Sequence, residues 1–393
     1  MGLSKVTVNV GSSGLGRRPI NNDKISGILF YSATLPTGFS STARVKKVFS
    51  LAEAEALGLA KTGTYDVHWY HVSEYFRIQP DGELWIGFFA VPGGTYDFSE
   101  LATMAATASG EIRQLAIYAN ALTYASTQVT AIQTAIDALD ASLKQIIVLY
   151  AADTSAVTAV TGWASITDLR TLTAKKVTVV IAESGSGQGA VLSAAKAYSI
   201  TALGTALGAV SLAGVEQSIG NPANFNISDG IELETPALGN GDLISALSMS
   251  SLGSLKDKGY LIVRKYLPDL AGSYFERAPT AIAATNDYAW METNRVVDKA
   301  IRLVRAALIP QLNQNIYVKS DGTLRDDSVG YFQDLAQTPL TQMEADGEIS
   351  ASTALVDPKQ NVLSTSQLAV TIKIVPVGVA GEIIVNIGLT TSI

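Results

Sequence analysis

The amino-acid sequence predicts a mixed-sheet α/β (α+β) protein with extended strand arms at both ends. Segments of helical period alternate with short apolar runs from Ile25 onward, which implies a layered sheet with helices on its faces. Alternating β-branched segments stand near both termini, and no fixed-period repeat is present. At 393 residues the chain is long enough to bury about three quarters of the surface its unfolded form exposes, and to form roughly two to three domains.

Each element follows from its residues. In Lys5–Val10, Val6, Val8 and Val10 share one face and Lys5, Thr7 and Asn9 the other, the pattern of a short half-buried strand. The Gly- and Ser-rich run from Gly11 to Gly16 tethers it, and its backbone groups must be paired by something beyond local sequence. Ser50 to Gly58 has a capping serine, early acids and a terminal glycine, so it reads as a short helix. A helix over about Asp66–Phe76 precedes a strand at Glu83–Val91, and a helix over Phe98–Arg113 leads into a strand at Gln114–Tyr118. Leu122, Val129, Ile132, Ile136, Leu139 and Leu143 form the seam of a long helix whose outer face is Thr, Gln, Ser and Ala. Strands at Gln145–Tyr150 and Lys176–Ala182 follow, then a helix containing Ala190–Leu207.

Beyond Gly214, Asn221-Pro222 and Asp229-Gly230 mark irregular chain. A helix is expected over Asp242–Lys256, a strand over Tyr260–Tyr266, a long helix over Tyr288–Leu312 and a turn at Asp321-Gly322. The chain closes with β-branched runs at Leu368–Val375 and Glu382–Leu389, separated by Pro376, Gly378 and Gly381, which read as a hairpin or consecutive pair.

Composition narrows the function. Charged residues make up 16%, against about 25% in an average soluble protein, and apolar residues 47%. A membrane, an oversized core or neighbouring subunits must therefore cover the surface. The uncharged stretch Ala197–Val215 is the best membrane candidate, but Ile200, Leu203, Leu207 and Val210 line one side and Gly204 and Gly208 form a GxxxG pair. That pattern describes a helix packed tightly inside protein, so no membrane insertion is expected. The net charge of −7 argues against nucleic acid. With no cysteine, thiol chemistry is excluded. Met1–Gly16 carries no secretory signal pattern.

No catalytic, cofactor or metal site is expected. Gly185-Ser186-Gly187-Gln188-Gly189 after an apolar strand has the outline of a phosphate loop, but the spacing is GxGxG and no Gly-Lys-Ser/Thr follows. His68 and His71, with Glu74, share a helix side, yet the zinc-protease spacing is absent and the aromatic neighbours favour packing. Asp321, Asp326 and Asp327 are wrongly spaced for a calcium loop. More informative is a basic stripe of Arg295, Lys299, Arg302 and Arg305 on an otherwise acidic chain, either a solvated face with ion pairs or a contact with an acidic partner.

The C-terminal half resembles the inner domain of contractile-tail sheath proteins. The resemblance lies in Lys258-Gly259-Tyr260-Leu261-Ile262-Val263-Arg264, in Glu276-Arg277-Ala278-Pro279-Thr280, and in the helix Trp290–Arg305 with its Asn294-Arg295-Val296-Val297-Asp298-Lys299-Ala300-Ile301-Arg302 run. It covers Gly214–Leu389 and the N-terminal strand, and departs from the family where Ala278 and Pro279 separate Arg277 from Thr280. It implies an N-terminal arm and linker (1–24), an outer variable α/β domain (25–213), an inner sheath-like domain (214–378) and a C-terminal arm (379–393). It also implies a non-enzymatic subunit that stacks in hexameric rings around an inner tube and contracts, with baseplate and terminator proteins as further partners. Such a particle, phage tail or injection machine, assembles in a bacterial cytoplasm. Strand donation links the subunits, with Lys5, Val6, Thr7, Val8, Asn9, Val10, Ile383, Val385, Ile387 and Leu389 as donors and Arg295, Lys299, Arg302 and Arg305 as tube-facing candidates. Alternatives are another self-assembling phage component, of tube or capsid, and an α/β nucleotide-binding enzyme using Gly185–Gly189.

Overall fold

A computed structural model of the chain describes residues 22–119, 122–266, 268–385 and 387. The expected strand at Lys5–Val10, its tether and Leu389 lie outside the described residues. The fold is mixed α/β around a seven-stranded mixed sheet. The sheet strands are β1 (Ser26–Tyr31), β2 (Val45–Val48), β3 (Leu84–Phe89), β4 (Gln114–Tyr118), β5 (Ile147–Ala151), β7 (Val177–Val180) and β10 (Tyr260–Leu261). Shorter pairs frame it: β6 (Thr173–Ala174) with β13 (Ala281–Ile282), β8 (Ala182–Ser184) with β9 (Pro236–Leu238), and β11 (Val263–Tyr266) with β12 (Leu270–Phe275). The order in the large sheet is β10-β7-β5-β4-β1-β3-β2. All neighbours run parallel except edge strand β2, which is antiparallel to β3.

Parallel strands covered on both faces must be apolar on both. Ile28 and Phe30 of β1 face one core cluster and Leu29 and Tyr31 the other, all fully buried. The helices are α1 (Leu51–Ala56), α2 (Asp66–Ile78), α3 (Glu100–Thr107), α4 (Ser126–Ala141), α5 (Ala159–Ser165), α6 (Gly187–Ala195), α7 (Leu203–Leu212), α8 (Met249–Asp257), α9 (Met291–Leu308) and α10 (Asp326–Ala345). Residues of α2 and α7 fill the first cluster; α3, α4 and α8 fill the second. The GxxxG reading of α7 is met by direct packing on α2. A Cβ on Gly204 would sit 2.0 Å from the His71 carbonyl oxygen, and one on Gly208 would sit 2.9 Å from that of Tyr75. Every residue from Leu203 to Ser211 is buried. Among the described residues no helix is long and apolar enough to cross a membrane.

Local chemistry sets the boundaries. Ser50 caps α1 by accepting from Glu53 N, and Gly58 takes φ +95° just beyond its end. The helix expected at Phe98–Arg113 stops at Thr107, because Ser109 and Gly110 turn the chain through left-handed backbone. The helix expected at Ala190–Leu207 is two helices: Asp153 captures Ser199 N, Glu183 captures Ile200 N, and Thr201 bridges to Glu183. The strand expected at Tyr260–Tyr266 divides at Ile262, its first part entering the large sheet and its second pairing with β12. The large sheet thus runs across the boundary expected at residue 213.

The end of the chain departs furthest from expectation. Asp326 and Asp327, wrongly spaced for a calcium loop, open the 20-residue α10. β14 (Ile349–Val356) follows it and takes β15 (Val370–Pro376) as antiparallel partner. The expected hairpin between Leu368–Val375 and Glu382–Leu389 is therefore corrected: the first run pairs upstream, and residues 382–385 and 387 form no strand. The reason lies in α10, whose Ala336, Leu340 and Met343 bury the face carrying Ile349 and Ala354 and so fix β14 beside it.

Candidate functional site

Three features could carry function: the helix α9 junction, the terminal sheet with its tail, and the glycine loop before α6. The first begins with the segment that carries the family resemblance. Arg277 Nε donates to Glu292 Oε1 at 2.5 Å, and the guanidinium lies 4.1 Å from the Trp290 ring centroid. Thr280 Oγ1 donates to the Tyr288 carbonyl at 2.6 Å, and Asn294 Nδ2 donates to the same oxygen at 2.9 Å. Arg170 Nη1 donates to the Thr280 and Ile282 carbonyls. These bonds clamp the start of α9 onto residues 277–282, so the segment has a structural task.

The basic stripe of α9 is largely committed inside the chain. Arg295 is buried and donates to the Ala213 and Gly214 carbonyls, where its charge meets the negative end of α7. Burial holds its guanidinium down at about 10. Lys299 bridges Asp23 (2.8 Å) and Glu348 (2.5 Å), and Arg302 pairs with Asp23 at 2.5 Å. Burial pushes the Asp23 carboxyl up, but the hydrogen bonds and charges of Lys299 and Arg302 together hold it below the usual range. On the next side of the helix, Lys176 Nζ sits 2.8 Å from both Asp140 and Asp298. Burial raises the Asp298 carboxyl even beside that lysine. Only Arg305 is exposed. The four residues therefore offer no continuous basic face: three of them tie α9 to the end of α7, to the start of the described chain and to Glu348 just before β14. Their carboxylate partners Asp23 and Glu348 were not legible as a set, because they lie toward opposite ends of the described chain.

The terminal sheet is the second feature. β14 and β15 pair over their whole length, and among the described residues neither has another strand beside it. Beyond β15, Ile383, Ile384, Val385 and Ile387 are between 71% and 89% exposed. Four large apolar side chains within five positions lie in water, which a finished surface avoids.

The glycine loop is the third. Gly187 has φ +61°, and the amides of Gln188 and Gly189 point at a carboxylate of the chain itself: Glu232 Oε1 accepts from both, and its Oε2 accepts from Tyr70 Oη at 3.2 Å. A Cβ on Gly187 would meet Glu232 Oε1 at 2.3 Å. The anion-binding position that gave the loop its phosphate-like outline is filled by Glu232. His68 and His71 are likewise interior. They pack against Phe30, Phe88 and Tyr118, none of their four ring nitrogens has a hydrogen-bond partner among the described residues, and burial lowers them to about 4 and about 3. Among the described residues no group of three His, Cys, Asp or Glu side chains could hold a metal.

Two family matches and two structural likenesses bear on this geometry. Residues 3–278 match the family DUF2586, N-terminal domain, and residues 287–393 match DUF2586, C-terminal domain. No curated protein matches the sequence. A chain from the cryo-electron microscopy structure of the anti-feeding prophage (AFP) baseplate, 6-fold symmetrised, is 14% identical with a TM-score of 0.64, covering 100% of both chains. A chain from the PVC sheath complex of an extracellular contractile injection system, in the contracted state, is 13% identical with a TM-score of 0.63, covering 99% of both. At these identities the likeness is one of fold, and it extends over the whole chain.

Proposed function

Because the chain belongs to the DUF2586 family and shares its whole fold with chains of contractile injection particles, we propose that it is a structural component of such a particle, namely its sheath subunit. The observation that carries this reading is the end-to-end coverage of both likenesses: both the sheet unit and the C-terminal unit have counterparts there. The subunit stacks in hexameric rings around an inner tube, meets baseplate and terminator proteins at the two ends, and contracts. It assembles in a bacterial cytoplasm and performs no catalysis.

Strand donation joins the subunits. Lys5–Val10 and the run containing Ile383, Val385, Ile387 and Leu389 are the donors, and the two-stranded β14–β15 sheet is the acceptor. A two-stranded sheet is marginal alone, whereas added strands complete its backbone hydrogen bonds and cover apolar side chains. Electron microscopy of the purified chain tests the reading, expected to reveal rings or tubes; intact protein that stays monodisperse even with the tube protein present would overturn it. Deleting residues 1–16 is expected to abolish polymerisation, and unimpaired tubes would remove that donor. A baseplate role is the second reading, favoured by the source of one structural likeness. It is distinguished by products that stop at single rings.

A further inference from the structure

We propose that a basic cleft at the N-terminal ends of β4 and β5 receives an acidic segment from a second copy of this chain; the proposal rests on the self-assembly just described. The cleft has a volume of about 350 Å³ and is walled by two loops and one helix. Arg113 comes from the loop after α3, Lys144 from the loop after α4, and Arg302 and Arg305 from the last turns of α9. Among the described residues no carboxylate lines it, in a protein whose net charge is −7. Asp23 is already bound to Arg302, and the charges of Asp23, Glu111 and Asp298 reach Arg113.

The cleft is held in shape. Ser109 (φ +52°), Gly110 (+72°) and Leu143 (+60°) put both loops into left-handed backbone that side chains rarely adopt, a cost that persists where the surroundings impose it. Arg113 is anchored by Nη1 donating to the Gly110 carbonyl at 2.6 Å, while its buried Nε has no hydrogen-bond partner among the described residues. Four cations converge there with one carboxylate partner between them among the described residues, so the site is electrostatically unfinished.

The rim indicates what finishes it. Leu143 and Ile309 flank the cations and are 45% and 47% exposed. A small free anion would leave that apolar rim wet, whereas a protein segment with carboxylates at its centre would cover it. A second copy has such carboxylates in excess, with 35 acidic against 28 basic residues and exposed acids such as Asp81, Asp269 and Asp334.

The test compares polymerisation of the full chain with Lys144→Glu, Arg305→Glu and, as a control making the same charge change at an exposed site, Lys359→Glu. At about 0.15 M salt the two cleft variants are expected to need about tenfold more protein to polymerise, and the control less than about twofold more. Pyrophosphate at constant ionic strength, used as a competing probe, is expected to raise the wild-type requirement in the same way. Cleft variants that polymerise like the control would overturn the proposal. So would variants that lose pyrophosphate binding yet polymerise normally, an outcome that makes the cleft a small-anion site. A wild type that never polymerises removes the assembly reading and this proposal together; a polymerising wild type with unaffected variants removes the cleft alone.

Discussion

The sheet unit and the C-terminal unit of α9, α10, β14 and β15 are held together in contrasting ways. In the first, six parallel strands are sealed on both faces, Tyr31, Phe30, Phe88 and Tyr150 are fully buried, and α7 is buried along its length. Each such side chain contributes about 1.5–3 kcal/mol, so this region closes its own accounts with water. In the second, a small core of Val296, Ala300, Val304, Ala336, Leu340 and Met343 supports a sheet of two strands. Ion pairs through Lys176, Lys299 and Arg302 fasten it to the first. The tail beyond it exposes four large apolar residues. The difference teaches that one region is finished within the chain, whereas the other leaves strand edges and apolar side chains uncovered among the described residues.

Breaking the fastening has the largest expected effect. Lys176→Met leaves Asp298, already raised by burial, facing Asp140 without a cation. A loss of roughly 3–5 kcal/mol is expected by denaturant unfolding; a loss below about 1 kcal/mol would mean that the pair is not holding the units together. Gly204→Ala comes next. Its methyl would collide with the His71 carbonyl, and about 3 kcal/mol of stability should disappear from the sheet unit.

The third effect is pH-dependent and confined to the sheet unit. His68 and His71 titrate near 4 and near 3 when folded, against about 6.5 when unfolded. As pH falls below 6.5 the unfolded chain takes up protons that the folded one refuses, so stability is full above that pH and declines toward pH 3–4. Each histidine removes about 2 kcal/mol by pH 5. His71→Phe should therefore flatten the difference between denaturation curves at pH 7 and pH 5 by about 2 kcal/mol; an unchanged difference would mean that the ring is protonated in place. The smallest effect on the fold belongs to the tail. Ile383→Asp with Ile387→Asp should shift the melting free energy by less than about 0.5 kcal/mol while abolishing polymerisation. A large loss of monomer stability would show that the tail packs on its own subunit.

The same division governs how much could be read from sequence. Within the sheet unit the signals were local: the apolar run Gln114–Tyr118, the helix at Asp66 and the Ser50 and Gly58 caps emerge almost residue for residue. The burial of α7 followed from its GxxxG pair and one-sided apolar residues. The C-terminal unit hid its structure. Pro339 and Gly330 interrupt α10 with residues that ordinarily argue against helix, and β14 is Ser-, Thr- and Ala-rich, with Ile349, Ala354 and Val356 as its buried positions. The candidate residues of α9 were visible as a stripe, but charge spacing does not say which side faces inward. Asp23 and Glu348 decided that, and they lie 276 and 49 residues from Lys299. The glycine loop failed as a phosphate site for the same reason: Glu232 reaches it across 44 positions.

Amide hydrogen exchange on the free subunit and on the assembled particle tests the central claim most directly, because it reads both regions at once. The account predicts that the amides of Ile349–Val356 and Val370–Pro376 exchange quickly in the free subunit and become strongly protected on assembly, while β1, β4 and β5 are slow in both. Equal protection of β14 and β15 in the two states would contradict it, since that sheet would then be complete without a neighbour.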